Sequence, residues 1–545
     1  MELRNCNPHL NLKKNESDYN IQILDWQCYD YSPDEEDDQE EINKKYIIQL
    51  FGIDEKNYSV SLKVLGFKPR FYVNIPNDWS DMKINILLAE IKKKVHKKFK
   101  DSIENYKILH RKKFRGFTNN EKFKFIKFTF NSVMEMRAYI RVFEKKLKII
   151  SLHTKPKKYE LYESNIEAFL RFCHIKDLKT CGWITLPKKK YKIVKCKETY
   201  CQRELTIKWK DVRPCELSHI APLNVLSFDI ECDSSHGDFP LAKKHYKKLA
   251  SELLDNIQNR NKLDIKKNVK KGERLIDKKE EQIEYVTRLL KLAFNDETKD
   301  NRNLDDISFC YTKNNVKPKT KIYSEINTKL ADILFTEIKR EENYKELKEA
   351  VEKTQRLWSN QSLDLLKTIA FEVGKEFSIP KQKILRRIIS RDILVEKTTD
   401  ILDNFFPELE GDKVIQIGST VNKYGEDKCF LKHIVTLNTC NDIEGAIVVP
   451  CKTEKEVLIE WAKFVRELDP DIVTGYNIFG FDFKFIFERA EELDCLYEMG
   501  TLSRMKTKEL ELIEKNLSSS ALGENILKYG RKSCYVFIKS SSKRL

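Results

Sequence analysis

A stretch of 170 residues with almost no glycine limits what this sequence can fold into. Residues 241–410 contain only Gly272 and Gly374, and lysine, glutamate, leucine and isoleucine recur there at the three-to-four-residue spacing of amphipathic helices. Before this stretch the patterns are typical of β-strands, and after it short apolar strands alternate with helices. We therefore predict an α/β fold that is interrupted by a helical insertion at 241–410.

The strand patterns are clearest near the N-terminus of the chain. Apolar, β-branched and aromatic residues are concentrated at 46–52, 60–64 and 71–73, and turn residues such as Gly66 separate these runs. Their close spacing predicts one antiparallel meander.

The charge of the chain indicates a polyanionic partner. Lysine and arginine number 101 against 85 acidic residues, and residues 91–210 alone carry a net charge of +23. The sequence has no run of about 18 apolar residues, so we expect no membrane span. Its 14 cysteines are scattered singly, which favours reduced thiols in an intracellular protein.

An apolar strand at 222–231 ends in two carboxylates. Side chains two residues apart share a strand face, so Asp229 and Glu231 should project together. Clustered carboxylate oxygens suit Mg²⁺ or Mn²⁺, and a pair of such ions can support phosphodiester cleavage. The triplet alone is a weak signal, because Asp442-Ile443-Glu444 repeats it in a turn, where solvated charge is the simpler interpretation.

A third carboxylate, Asp482, lies at a strand-to-helix corner that begins at Gly475. Asp482 is either a further metal ligand or only the N-cap of the following helix, and its position alone leaves both alternatives open.

Taken together, the two motifs resemble the first and second exonuclease motifs of family B DNA polymerases. Asp229-Ile230-Glu231 is similar to the first motif, and Tyr476-Asn477-Ile478-Phe479-Gly480-Phe481-Asp482 is similar to the second. Residues 66–73, 181–184 and 469–472 resemble further signatures of the family. Within the family, the sequence most resembles the delta-like branch, which is found in eukaryotes and in large nucleocytoplasmic DNA viruses.

The resemblance implies a ribonuclease H-like 3′-5′ exonuclease domain with a mixed sheet, preceded by a β-rich N-terminal domain. It implies that Asp229 bridges two Mg²⁺ or Mn²⁺ ions, that Glu231 binds one ion and orients the attacking water, and that Asp482 binds the other. The expected activity is proofreading during DNA replication.

The resemblance also implies DNA-binding residues and a location. Tyr476 and Asn477 would hold the unpaired, single-stranded 3′ end of primer–template DNA, with Phe481 packing beside it. The expected location is inside the cell, which means the host cytoplasm or nucleus if the source is a virus.

We expect four regions along the chain. These are a basic, β-rich N-terminal DNA polymerase B domain at 1–222, the exonuclease domain at 223–240 and 411–525, the insertion at 241–410, and an atypical basic tail at 526–545.

The sequence departs from the family in two ways. The third exonuclease motif, Tyr followed four residues later by Asp, has no counterpart because Asp494 is the last aspartate, and no palm motif such as Tyr-Gly-Asp-Thr-Asp is present. We therefore expect the N-terminal half of a polymerase, cut short, with weak or no exonuclease activity unless a second chain supplies the C-terminal half. The alternatives are a catalytically silent DNA-binding fragment, or a helical scaffold protein if the insertion carries the function.

Overall fold

The computed structural model describes most of the chain, which divides into two compact units. The first unit comprises Met1–Glu231 and Val414–Leu545, and the second comprises Cys232–Lys413. The described residues are 17–31, 44–113, 116–152, 155–234, 239–267, 279–294, 307–334, 345–358, 363–377, 381, 384–385, 391–478, 480–506, 512–519, 523–530 and 536–540. Much of the predicted tail at 526–545 lies outside the described residues.

In chain order the strands are β1 (Tyr19–Tyr31), β2 (Lys45–Asp54), β3 (Ser59–Leu65), β4 (Arg70–Ile75), β5 (Ile103–Arg111), β6 (Phe123–Phe130), β7 (Leu161–Tyr162), β8 (Trp183–Leu186), β9 (Tyr191–Ile193), β10 (Arg203–Lys208), β11 (Arg213–Pro214), β12 (Asn224–Cys232), β13 (Val414–Lys423), β14 (Leu431–Leu437), β15 (Ile447–Cys451), β16 (Ile472–Tyr476), β17 (Leu512–Ser519), β18 (Gly523–Gly530) and β19 (Val536–Ser540).

The α-helices are α1 (Asp81–Lys94), α2 (Val133–Glu144), α3 (Ala168–Lys176), α4 (Lys247–Lys267), α5 (Lys279–Ala293), α6 (Thr320–Leu334), α7 (Lys345–Trp358), α8 (Leu363–Glu376), α9 (Arg391–Phe405), α10 (Glu454–Leu468), α11 (Asp482–Glu492) and α12 (Leu496–Gly500). Short 3₁₀ helices lie at Lys97–Phe99 and Lys313–Asn315. No described helix has the length and apolar composition needed to cross a membrane.

The N-terminal part of the first unit contains two sheets rather than one meander. A seven-stranded sheet has the order β11-β8-β1-β2-β3-β10-β9, and a four-stranded sheet has the order β5-β6-β4-β7. The predicted pairing of β2 with β3 is present, but the prediction that β4 continues the meander is wrong. After β3 the chain turns at Gly66, whose φ is +81°, and β10 occupies the remaining edge of β3.

A six-stranded sheet forms the other half of the first unit and confirms the predicted mixed sheet. Its order is β15-β14-β13-β12-β16-β19. The β12–β16, β14–β15 and β16–β19 pairs are parallel, whereas β13 and β14 are antiparallel. Helix α10 packs on this sheet, with the Trp461 ring 4.8 Å from that of Phe228 on β12. Chain order and strand order differ, so β12 and β16 are neighbours although a whole unit separates them in sequence.

The second unit has a hydrophobic core of its own. Apolar side chains from α4, α5, α6 and α9 are fully buried in it, including Leu253, Leu289, Leu330 and Leu394. The predicted helical segment 241–410 lies within this unit.

Candidate functional site

The site is built at the carboxyl ends of two parallel strands. Val225 and Ser227 of β12 lie opposite Ile472 and Thr474 of β16. Because parallel strands end at the same edge of a sheet, the residues that follow this pairing on both strands project from one edge.

Asp229 and Glu231 both lie near the end of β12. The two side chains are exposed while Ile230 between them is buried, which is the alternation of a strand with one face in the core. The Ile230 N–H donates to Oδ1 of Asp229 at 3.1 Å and so fixes the orientation of this carboxylate.

Asp482, in contrast, is buried, although it carries a carboxylate. Its side chain is 1% exposed and lies within hydrogen-bonding reach of the Asp229 carboxylate. Burial, reinforced by the negative charge of Asp229, raises the pKa of Asp482 to about 6. Oδ1 of Asp482 is buried without a hydrogen-bond partner in the described part of the chain. Two carboxylates in contact, one with an unsatisfied buried oxygen, form an arrangement that a divalent cation fits.

The structure excludes the alternative in which Asp482 is the N-cap of the following helix. Helix α11 begins at Asp482 itself, its N-cap is Phe481, and no side chain caps it. Asp482 is therefore the first residue of the helix, with its carboxylate directed to Asp229.

The turn between β16 and α11 has a backbone that only certain residues tolerate. Asn477 adopts a left-handed conformation with φ of +51°, and its carbonyl accepts the N–H groups of Gly480 and Phe481 at 2.8 and 3.0 Å. A Cβ atom on Gly480 would lie 2.4 Å from Oδ1 of Asn477, so this glycine leaves space for the Asn477 side chain. A Cβ atom on Gly475 would lie 2.5 Å from the carbonyl oxygen of Phe228 on β12.

The residues predicted to hold DNA lie on this turn. Tyr476 is 68% exposed, Asn477 is exposed, and the half-buried Phe481 packs on Phe485 with ring centroids 5.3 Å apart. Phe479, which belongs to the same motif, lies outside the described residues.

The second Asp-x-Glu triplet differs from the first in its surroundings. Asp442, Ile443 and Glu444 are all exposed and lie in an irregular segment before a turn at Gly445. In the described part of the chain, no group of three or more His, Cys, Asp or Glu side chains is arranged to hold a metal ion, so Glu231 does not join Asp229 and Asp482 in such a group.

Sequence reasoning missed Arg504, which stabilises the strands that carry the site. Its guanidinium is fully buried and donates to the carboxylates of Asp469 and Asp471, at 2.7 and 2.9 Å. Asp471 in turn accepts the backbone N–H of Asn224 at 2.8 Å. The paired acidic residues on either side of Pro470 were the only signal available, because nothing local identifies an arginine 33 residues away as their partner.

A second buried arginine supports the helices around the site. Arg489 on α11 pairs with Glu454 on α10 through Nε and Nη2, at 2.8 and 2.5 Å, and with Glu492. Oε1 of Glu454 also accepts the N–H of Val414 at 2.9 Å. The cluster therefore connects the start of β13 with both helices.

Comparison with known proteins identifies the family to which this geometry corresponds. The family model described as "DNA polymerase family B, exonuclease domain" matches residues 159–299 and 343–534, more than half of the chain. The match covers β12, β16 and the start of α11, and the exonuclease domain of this family is the ribonuclease H-like fold that the sequence predicted.

Individual relatives support the same assignment. The chain is 33% identical to the DNA polymerase of Pyramimonas orientalis virus over 95% of its own length and 40% of the relative. It is 30% identical to the DNA polymerase of Phaeocystis pouchetii virus, covering 89% of the chain and 48% of the relative. A further 44% identity with the DNA polymerase delta catalytic subunit of Dictyostelium discoideum covers 22% of the chain and 11% of that protein. The chain thus spans less than half the length of the curated relatives that it matches.

Proposed function

This chain belongs to DNA polymerase family B, and we propose that its Asp229–Asp482 site removes nucleotides from the 3′ end of DNA as the proofreading exonuclease of a replicative polymerase. The observation that carries the proposal is the contact between these two carboxylates, one at the end of β12 and one at the start of α11. Residues that are 253 positions apart in sequence are thereby held against each other at one edge of the sheet.

Divalent cations complete the proposed chemistry. Asp229 and Asp482 would hold Mg²⁺ or Mn²⁺, and the orphaned Oδ1 of Asp482 supports this assignment. Glu231, which is exposed on the same face of β12 as Asp229, is the proposed further ligand that the two-ion arrangement requires. When bound, such ions lower the pKa of a water molecule and stabilise charge on the leaving oxygen of a phosphodiester. The chain itself fixes Asp229 through the Ile230 N–H and anchors Asp482 on the first turn of α11.

Tyr476, Asn477 and Phe481 form the proposed seat of the unpaired 3′ nucleotide. An exposed tyrosine ring offers a stacking surface that accepts any base, which suits an editing site that removes any mismatch. Asn477 directly follows β16, at the edge of the sheet where the carboxylates lie, and its amide is the proposed ligand of a sugar hydroxyl or phosphate oxygen.

The proposal includes partners and a location. The substrate is primer–template DNA with a single-stranded 3′ end, and a C-terminal polymerase half is the proposed protein partner. Because two of the relatives are viral DNA polymerases, we place this activity in the cytoplasm or nucleus of a host cell.

Metal binding tests the site without requiring turnover. We expect isothermal titration calorimetry to detect Mn²⁺ binding by the full chain and at least a tenfold weaker affinity in Asp482→Asn. Asp442→Asn is the matched control, because it removes an aspartate from the exposed copy of the same triplet. Equal Mn²⁺ affinity in Asp482→Asn and Asp442→Asn would remove the metal site from the proposal.

Primer-end digestion tests the reaction. We expect weak digestion of a 3′-mismatched primer by the chain alone, stronger digestion when the C-terminal half is supplied, and loss of both in Asp229→Ala. Digestion that survives Asp229→Ala contradicts the proposal. Binding of DNA and Mn²⁺ without digestion under either condition would support the catalytically silent DNA-binding alternative instead.

A further inference from the structure

A cavity of about 580 Å³ lies in the second unit, around the start of α4. Its size is that of a small-molecule or nucleotide site rather than of a packing defect. None of its lining residues belongs to the Asp229–Asp482 site, and the function proposed above leaves it without a role.

The lining of this cavity carries an excess of positive charge. Lys243, Lys244, Lys247 and Lys248 all border it, against the carboxylates of Glu252 and Asp412. Those two carboxylates are already engaged within the protein. Oε2 and Oε1 of Glu252 accept the Ser308 N–H and hydroxyl at 2.8 and 2.6 Å. Asp412 accepts the Leu241 N–H at 2.9 Å and the Lys244 ammonium at 2.5 Å. Four lysines against two carboxylates give the lining a net positive formal charge, which favours an anionic ligand.

Aromatic rings border the same cavity and reach solvent. Phe239 is 73% exposed, and Phe309 and Tyr311 are exposed and meet edge to face with their centroids 4.9 Å apart. Exposed aromatic side chains next to several lysines are the combination that binds single-stranded nucleic acid, in which bases stack and phosphates meet cations.

We infer that this cavity binds a nucleotide of single-stranded DNA, with the base against Phe309, Tyr311 and Phe239 and the flanking phosphates at Lys243 and Lys247. An acidic peptide would satisfy the lysines but would leave the aromatic surface without a stacking partner. A free nucleotide carries phosphate at one end only, whereas a nucleotide within a strand has a phosphate on each side. The inference does not depend on the proposed exonuclease function, because the contacts require no metal and none of the exonuclease residues.

Photocrosslinking locates the DNA directly, which bulk affinity cannot do in a chain with a second basic region. An oligothymidylate containing 5-iododeoxyuridine is irradiated with the full chain in EDTA, and the crosslinked peptides are identified by mass spectrometry. We expect crosslinks at Phe309 or Tyr311, with a yield that falls about tenfold in Phe239→Ala, as for the loss of one stacked ring. We expect a similar fall in the double variant Lys243→Glu/Lys247→Glu.

Lys321→Glu is the control for the lysine substitutions in this experiment. Lys321 lies on α6 of the same unit with a side chain that is 85% exposed, and it does not line the cavity. Circular dichroism establishes that each variant is folded, and Asp229→Ala should keep the full crosslinking yield. The inference is overturned if no crosslink forms in the cavity or if the yield is the same in the cavity variants and in Lys321→Glu. It is also overturned if thymidine triphosphate or a glutamate-rich peptide, and not the oligonucleotide, occupies the cavity.

Discussion

Nη2 of Arg504 lies 2.9 Å from Oδ1 of Asp471, and neither side chain is exposed to solvent. Oδ2 of the same aspartate accepts the backbone N–H of Asn224, the first residue of β12. Arg504 therefore fixes the start of β16 against the start of β12, at the end of the strand pair opposite to the carboxylates. The buried ion pair positions the site without contacting it.

Removing this arginine should destabilise the first unit strongly. Arg504→Met keeps the volume of the side chain but leaves Asp469 and Asp471 buried without a cation, which typically costs about 3–5 kcal/mol. Urea unfolding of the full chain measures the change. In the triple variant that adds Asp469→Asn and Asp471→Asn, we expect much of the loss to be recovered because no buried charge remains unpaired. A change of less than about 1 kcal/mol in Arg504→Met would contradict this account.

Two glycines of the strand-to-helix turn should respond differently to alanine. In Gly475→Ala the new methyl group meets the Phe228 carbonyl oxygen, which belongs to the backbone and cannot move aside, so we expect a loss of about 1–3 kcal/mol. In Gly480→Ala it meets only the end of the Asn477 side chain, which can rotate. We expect little loss of stability there but weaker binding of a single-stranded 3′ end, measured by fluorescence anisotropy. Equal unfolding midpoints for the two variants would be inconsistent with these contacts.

His433 should make the first unit sensitive to acid. Its ring stacks on Phe464 with centroids 3.8 Å apart, and burial lowers the pKa of this histidine from 6.5 to about 4. Because the unfolded chain binds the proton more readily, stability falls as the pH decreases from about 6.5 to 4, by about 3 kcal/mol in total. In His433→Phe the stack is retained and this contribution disappears. The difference in unfolding free energy between the two proteins should therefore grow as the pH falls over this interval, and a constant difference would argue against it.

The four-stranded sheet offers a specific place for the DNA binding expected of the basic block at 91–210. Lys107 on β5 lies opposite Lys127 on β6, which lies opposite Tyr72 on β4. Burial, followed by the nearby cations Arg70 and Lys107, lowers the pKa of Lys127, so these positive charges are held close together. A phosphate backbone would relieve this repulsion.

We expect Lys107→Gln/Lys127→Gln to weaken single-stranded DNA binding and to reduce the slope of log affinity against log salt by about 1.4. Anisotropy titrations at several salt concentrations give this slope. Lys321→Gln/Lys367→Gln, which removes two exposed lysines of the second unit, is the control and should leave the slope nearly unchanged. An unchanged slope in the first variant would exclude this sheet face as the phosphate site.

Local signals in the sequence predicted local structure well. Thr453 and Glu456 form a capping box at the start of α10, and the sequence alone indicates this motif because both of its halves lie within one turn of helix. Charged and aromatic residues alternate at 122–130, which is typical of a half-buried strand, and Phe128 and Phe130 of β6 are fully buried. The family resemblance added the mixed sheet, which periodicity alone could not specify.

Local signals of this kind cannot predict contacts between residues that are far apart in sequence. The sequence could not reveal that β4 leaves the first sheet, because this depends on β10 taking the edge of β3 from far along the chain. Arg504 was missed for the same reason. The depth of burial of Asp482 also depends on tertiary packing, since a helix N-terminus is normally exposed.

The pairing of β12 with β16 also has a consequence for how the chain reaches its native state. Asn224 and Asp471, which are hydrogen-bonded, are 247 residues apart. Closing so long a loop carries a large entropic cost, and pairings of this kind form slowly. The intervening unit has its own core and can condense first, which shortens the effective loop. During synthesis β12 leaves the ribosome long before its parallel neighbour exists. Throughout that interval an apolar strand has an unpaired edge, so the nascent chain is most prone to aggregation before β16 emerges.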